Sequence, residues 1–115
     1  MQPQEIITFW FETIEPKSWW IKDELFDLLL NQQFGESHQQ AAQGELFHWR
    51  KTAQGRLAEI IILDQFSRNI YRGLAKSFAY DAMALVLAQE AINVGAHKEL
   101  QAKDVAFLKE PGSSF

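Results

Sequence analysis

The chain contains no cysteine, which removes disulfides, thiolate metal sites and thiol catalysis at once. Proline is scarce at three residues and glycine at six. With a hydrophobic share of 47%, that composition belongs to a folded globular chain and not to a disordered one. No apolar run approaches the ~20 residues that a membrane-spanning helix needs. The start, MQPQEIITFWF, lacks the basic region that precedes the apolar part of a secretory signal. A cytoplasmic location without membrane contact is expected. No segment alternates with the period of two that marks a half-buried strand. The glycines are too scattered for a phosphate-cradling loop, and there is no Gly-x-Ser-x-Gly elbow.

What is present is helical periodicity. Its centre is the run Arg56 to Arg72, RLAEIIILDQFSRNIYR. At 100° per residue, Leu57, Ile60 and Ile61 cover one side and Ile62, Leu63 and Phe66 most of the other. A helix that is apolar nearly all round belongs inside a protein. Asp64 falls in the sector of Leu57, Ile60 and Ile61, so its burial calls for a partner. Arg68 stands four residues on in the favourable acid-before-base order, with Asn69 and Arg72 close behind.

Around this run the chain divides into short helices. Pro3 suits a first helical turn, and EIITFWF forms an apolar helix ending before Pro16. Trp19 and Trp20 open a second helix, with Asp23 and Glu24 in its early turns, Phe26, Leu29, Leu30 and Phe34 as its stripe and Gly35 as its stop. Ser37 to Gln43 makes a polar helix closed by Gly44, and Glu45 to Arg50 a brief helical turn carrying Leu46 and Trp49. Thr52 caps the central helix, expected over Ala53 to Phe66, with Gly55 a mild cost in its first turn. Ser67 to Lys76 reads as a connection, because Asn69 and Gly73 are turn formers. A long helix capped by Ser77 or Asp81 follows to Gly95, with Ala84, Ala88 and Ala91 on one face. A last helix spans Ala102 to Lys109. The prediction is an all-α chain of antiparallel helical hairpins, a TPR-like α-α superhelix within one domain.

Charge is segregated. The net charge is −4, yet the segment from Arg50 to Lys76 holds six basic residues against Glu59 and Asp64, a local +4, so the remainder carries −8. A basic segment between acidic flanks attracts anions, or is neutralised by those flanks within the fold. Nucleic acid binding is disfavoured by the overall acidity and by the lack of a clustered basic helix face. Glu45 and His48 have the Glu-x-x-His spacing of di-iron bundles, but that motif must occur twice and here occurs once. His38 and His97 have no companion at ligand spacing. No metal or cofactor is expected.

Two functions of different class remain. One is a helical scaffold whose groove, partly lined by tryptophan, binds a peptide or partner protein. The other is a small anionic metabolite site, enzymatic or not, built from Asp64, Arg68, Asn69, Tyr71, Arg72 and Arg56, since arginine forks suit carboxylates and phosphates. A purely structural Asp64–Arg68 pair explains the same residues without any ligand.

The segment LDQFSRNIYRG, Leu63 to Gly73, resembles the LDQFxRNxYRG motif of a bacterial domain family of unknown function, number 924. The likeness extends to ITFWF at 7–11, WW at 19 and 20, AAQGELFHW at 41–49 and FAYD at 78–81. It implies a TPR-like helical fold and no established activity, with Asp64, Gln65, Arg68, Asn69, Tyr71, Arg72 and Gly73 as characteristic positions. Family members continue beyond Phe107 and Leu108 into further helices. Against that pattern residues 1–108 are an incomplete family domain and 109–115 a non-family tail. An uncovered face on the last long helix, and hence self-association, is the expected consequence.

Overall fold

Thr52 begins the central element as expected, its hydroxyl accepting the Gly55 amide at 2.9 Å. The computed structural model describes residues 1–19 and 21–109. Its helices are α1 (Pro3–Thr8), α2 (Glu24–Ala42), α3 (Ala53–Ile61), α4 (Ser67–Ile70), α5 (Asp81–Asn93) and α6 (Ala102–Lys109), and no strand occurs among the described residues. Short 3-10 turns cover Pro16–Trp19, Phe47–Lys51, Ala75–Phe78 and Ala96–Glu99. The fold is all-α.

The central helix runs further than its sequence suggests. Beyond α3 it widens into one π-helical turn, Ile62–Phe66, and continues as α4. Every residue from Leu57 to Asn69 is buried. Ser67 and Asn69 therefore lie in helix, and the connection starts at Tyr71. A turn former is overruled where its side chain has a tertiary hydrogen-bond partner, and Asn69 has one in half-buried Asp27. The true break is Gly73, whose φ of 83° is left-handed.

The second helix also departs from expectation. Trp19 ends a separate 3-10 turn, Trp20 lies outside the described residues, and Asp23 caps α2 by accepting the Phe26 amide at 3.1 Å. Gly35 does not stop α2, which runs on through the stretch read as a separate polar helix. The chain turns only at Gly44, with φ 76°. Leu30 and Phe34 face inward, whereas Leu29 is exposed.

Gly55 proves necessary, not merely tolerable. A Cβ there would stand 1.9 Å from the Trp49 carbonyl oxygen, so only glycine lets the turn before α3 lie against it. Ala84, Ala88 and Ala91 are all buried, as their spacing predicts, and α5 packs on α3. Neither Ser77 nor Asp81 caps α5. Tyr80 occupies that position and Asp81 is the first helical residue.

The core gathers on the central helix: α1, α5 and α6 pack on α3, and α2 on the π turn and α4. Trp10 stacks on Trp19 at 5.7 Å and meets Phe66 and Phe107. Trp10 and Trp49 are thus core residues and do not line a surface groove. A radius of gyration of 12.9 Å matches the ~13 Å expected of a globular domain of this size.

Candidate functional site

The wide turn sends the end of the central helix into the space between α2 and α5. There Arg68 bridges two carboxylates, Nη2 lying 3.2 Å from Asp64 Oδ1 and 3.0 Å from Asp81 Oδ1. Asp64 is 1% and Arg68 6% exposed, so this pair is buried on both sides. Gln65 Nε2 donates to the other Asp64 oxygen at 3.0 Å. The expected i,i+4 pair is therefore present, with a second acid from the next helix.

One turn later, Asp27 of α2 accepts from Asn69 Nδ2 at 2.9 Å and from Arg72 Nε and Nη2 at 2.6 and 3.2 Å. The Arg72 contacts form a fork on a single carboxylate, the strong bidentate arrangement. Three acids thus hold two guanidinium groups. Asp27 and Asp81 come from the acidic flanks, so part of the charge segregation is resolved by pairing inside the fold.

Arg68 and Arg72 form the polar wall of a surface recess of about 530 Å³, whose other lining includes Gly73, Leu74, Ser77 and Phe78. Leu74 is 60% and Phe78 61% exposed. The Arg68 guanidinium lies 4.8 Å from the centre of the Phe78 ring, within cation–π range.

The structure brings together four of the six sequence candidates, Asp64, Arg68, Asn69 and Arg72. It separates the other two. Arg56 is half-buried on α3, twelve residues and hence about 18 Å along the axis from Arg68, and does not border the recess. Tyr71 turns the opposite way, towards His38. Asp27 went unrecognised because it lies 42 and 45 residues from its partners, beyond any local signal. Asp81 stood out as a helix cap and, with Phe78, as part of the FAYD likeness, and neither reading pointed to Arg68.

At the other end of the helix, Arg50 Nε and Nη2 donate to the two Glu59 oxygens, both at 2.8 Å. Neither residue of this second fork lines the recess at Arg68 and Arg72. Glu45 and His48 are both exposed, and among the described residues no three acidic or histidine side chains are grouped to hold a metal. No helix among the described residues is long and apolar enough to cross a membrane.

The fold matches a solved structure of a protein of unknown function from Agrobacterium tumefaciens with a TM-score of 0.86 at 35% identity. The match covers 92% of this chain and 60% of that one, so the chain spans less than two thirds of its structural relative. No functionally curated protein matches. A family model described as "Bacterial protein of unknown function (DUF924)" matches residues 6–112.

Proposed function

The chain belongs to this bacterial family of unknown function, and we propose that it is a cytoplasmic, TPR-like binding module that captures an extended peptide segment in the Arg68–Arg72 recess. One observation carries the reading. Leu74 and Phe78 stay largely exposed beside a recess whose arginines are already fixed in place. A wall held by Asp27, Asp64 and Asp81 loses little freedom on binding, which favours affinity. The acids outnumber these two arginines by one, so the wall itself gives a free anion no net attraction. An apolar anchor between Leu74 and Phe78, with a peptide carbonyl on the Arg72 Nη1–H groups that Asp27 leaves over, uses both parts of the surface. The TPR-like assignment is supported by the buried alanine face of α5, which lets a neighbouring helix approach closely. Self-association through exposed Leu85 and Val86 of that helix belongs to the same proposal, and a monodisperse monomer in ultracentrifugation argues against it.

Selection of a displayed random-peptide library on the folded chain tests the peptide reading. Apolar-anchored peptides should emerge. Leu74→Asp and Phe78→Asp should each weaken them by tenfold or more, about 1.4 kcal/mol, with the melting temperature retained. Absence of any selected peptide, or peptides indifferent to both changes, overturns it.

A second reading, a small anion on Arg72, is favoured by one detail. Asp27 takes Nε and Nη2, leaving Nη1 without a hydrogen bond in the described structure. Carboxylic acids, phosphates and nucleotides at a hundred times their Kd should stabilise the fold by about 2.7 kcal/mol. Loss of that shift in Arg72→Gln supports this reading, and no shift with any of them removes it.

A further inference from the structure

On the far side of Tyr71 lies a different recess, of about 420 Å³, with no acidic side chain among the described residues of its lining. Its floor is His38 of α2, a buried residue whose Nε2 lies 2.7 Å from Ser67 Oγ. The proton positions in this pair follow from the neighbour. The Ser67 hydroxyl donates to the Leu63 carbonyl at 2.6 Å, so its one proton is committed and its oxygen is an acceptor towards the imidazole. Nε2 must therefore carry the ring proton, and Nδ1 is left with a lone pair. No described residue donates a hydrogen bond to Nδ1, and the ring borders the recess.

The ring meets both Tyr71 and Tyr80 edge-on, with centroids 5.3 and 5.2 Å away. Lys76 stands at the mouth, its ammonium 4.7 Å from the centre of the Tyr71 ring, and makes no ion pair in the described structure. Gln39 and Gln43 complete the polar rim. Burial first, and then the Lys76 charge, lower the His38 pKa to about 4. The imidazole is consequently neutral at pH 7, an acceptor held in one tautomer and too weak a base to act as a proton abstractor.

We infer that this recess is a second binding site, for a small hydroxylated anion of the sugar-phosphate or hydroxy-acid class: its charged oxygens meet the Lys76 ammonium while one of its hydroxyls donates to His38 Nδ1. Each feature is matched to that chemistry. Lys76 supplies the only full charge among the described residues of the lining, and that charge is positive. Nδ1 accepts and does not donate, so it selects a ligand hydroxyl over a second anionic oxygen. The tyrosine hydroxyls and glutamine amides offer both donors and acceptors to a polyhydroxylated body. The volume lies within the ~300–1,000 Å³ usual for small-molecule sites. This site is independent of the Arg68–Arg72 recess and of any peptide bound there.

The test is a titration of the 15N-labelled chain with glucose 6-phosphate, malate and inorganic phosphate, following the His38 ring nitrogens by long-range 15N–1H correlation. In the free protein Nδ1 should show the pyridine-like signal. Glucose 6-phosphate or malate should move it in a saturable way, and inorganic phosphate, which lacks a carbon-borne hydroxyl, should bind at least several-fold more weakly. Lys76→Gln should weaken binding roughly tenfold or more, the usual worth of a charge-assisted contact. Arg72→Gln should leave binding unchanged. A pyridine-like Nε2 overturns the inference, as does an Nδ1 signal unmoved by glucose 6-phosphate and malate at tens of millimolar. A response lost in Arg72→Gln but kept in Lys76→Gln also overturns it and places the anion in the other recess. Lys76 is exposed, so its replacement tests binding without endangering the fold.

Discussion

The central helix carries buried charge near both ends and handles it in two ways. At Glu59 one arginine fork covers both carboxylate oxygens. Arg50 reaches in from partial exposure, at 32% against 1% for Glu59. At Asp64 the guanidinium is as buried as the acid, and Arg68 is shared with Asp81 while neighbouring Arg72 and Asn69 share Asp27. The first arrangement joins the helix to the turn just before it. The second joins three helices, α2, α4 and α5, and leaves a recess beside them. A paired buried acid alone does not identify a functional surface. What distinguishes the second network is that its two arginines line one recess together with exposed Leu74 and Phe78.

Changes at these two places should differ in size. Arg68→Met should be the most damaging, about 3–5 kcal/mol in chemical denaturation, because it removes the paired cation from a carboxylate that is 1% exposed. A loss under about 1 kcal/mol would mean that the pair is incidental. Arg50→Met should lose about 2–3 kcal/mol, less because Glu59 can draw water through the space that a half-exposed arginine vacates. The double substitution should be additive within about 0.5 kcal/mol, since residues 59 and 68 lie about 13 Å apart on the helix. Coupling beyond that would make the two forks one network.

Acid should expose a difference near Ser67. His38 has a lowered folded pKa of about 4 against about 6.5 unfolded. The unfolded chain thus binds the proton first, and stability present above pH 6.5 is lost as pH falls from there towards 4. The expected loss is on the order of 2 kcal/mol, allowing for solvent at the mouth of the recess. It should be missing in His38→Gln, and equal acid sensitivity in that variant would remove His38 as the cause. The smallest effect should come from Asp104 of α6, a buried acid held by no arginine fork, whose pKa burial pushes up despite Lys103. There Asp104→Asn should preserve or slightly raise the melting temperature at pH 7, because ionisation opposes folding above the raised pKa. A clear drop would show that this carboxylate has a stabilising role.

Much of this was legible in the residues. The uninterrupted apolar surface of Leu57 to Phe66 announced the buried helix, Thr52 its start, and the Asp64–Arg68 spacing its ion pair. Gly55 was misjudged because propensity registers only the cost of a missing side chain, whereas the Trp49 carbonyl excludes one. Asn69 and Gly35 have the intrinsic preferences of helix breakers, yet the bond to Asp27 holds Asn69 in helix and α2 passes Gly35 unbroken. Asp27, His38 and Lys76 were out of reach for another reason. Their importance comes from chain segments that meet only after folding.

The π-helical turn at Ile62–Phe66 gives this last point a further consequence. An extra residue within one turn makes the central helix two screws joined out of step, each aimed at its own neighbours. Wound as a regular α-helix, the same residues would place everything downstream about 100° further round. Arg68 and Arg72 would swing away from Asp81 and Asp27, while Arg50 and Glu59 stayed where they are. The count of residues in that turn, as much as their identity, decides which acids the arginines meet.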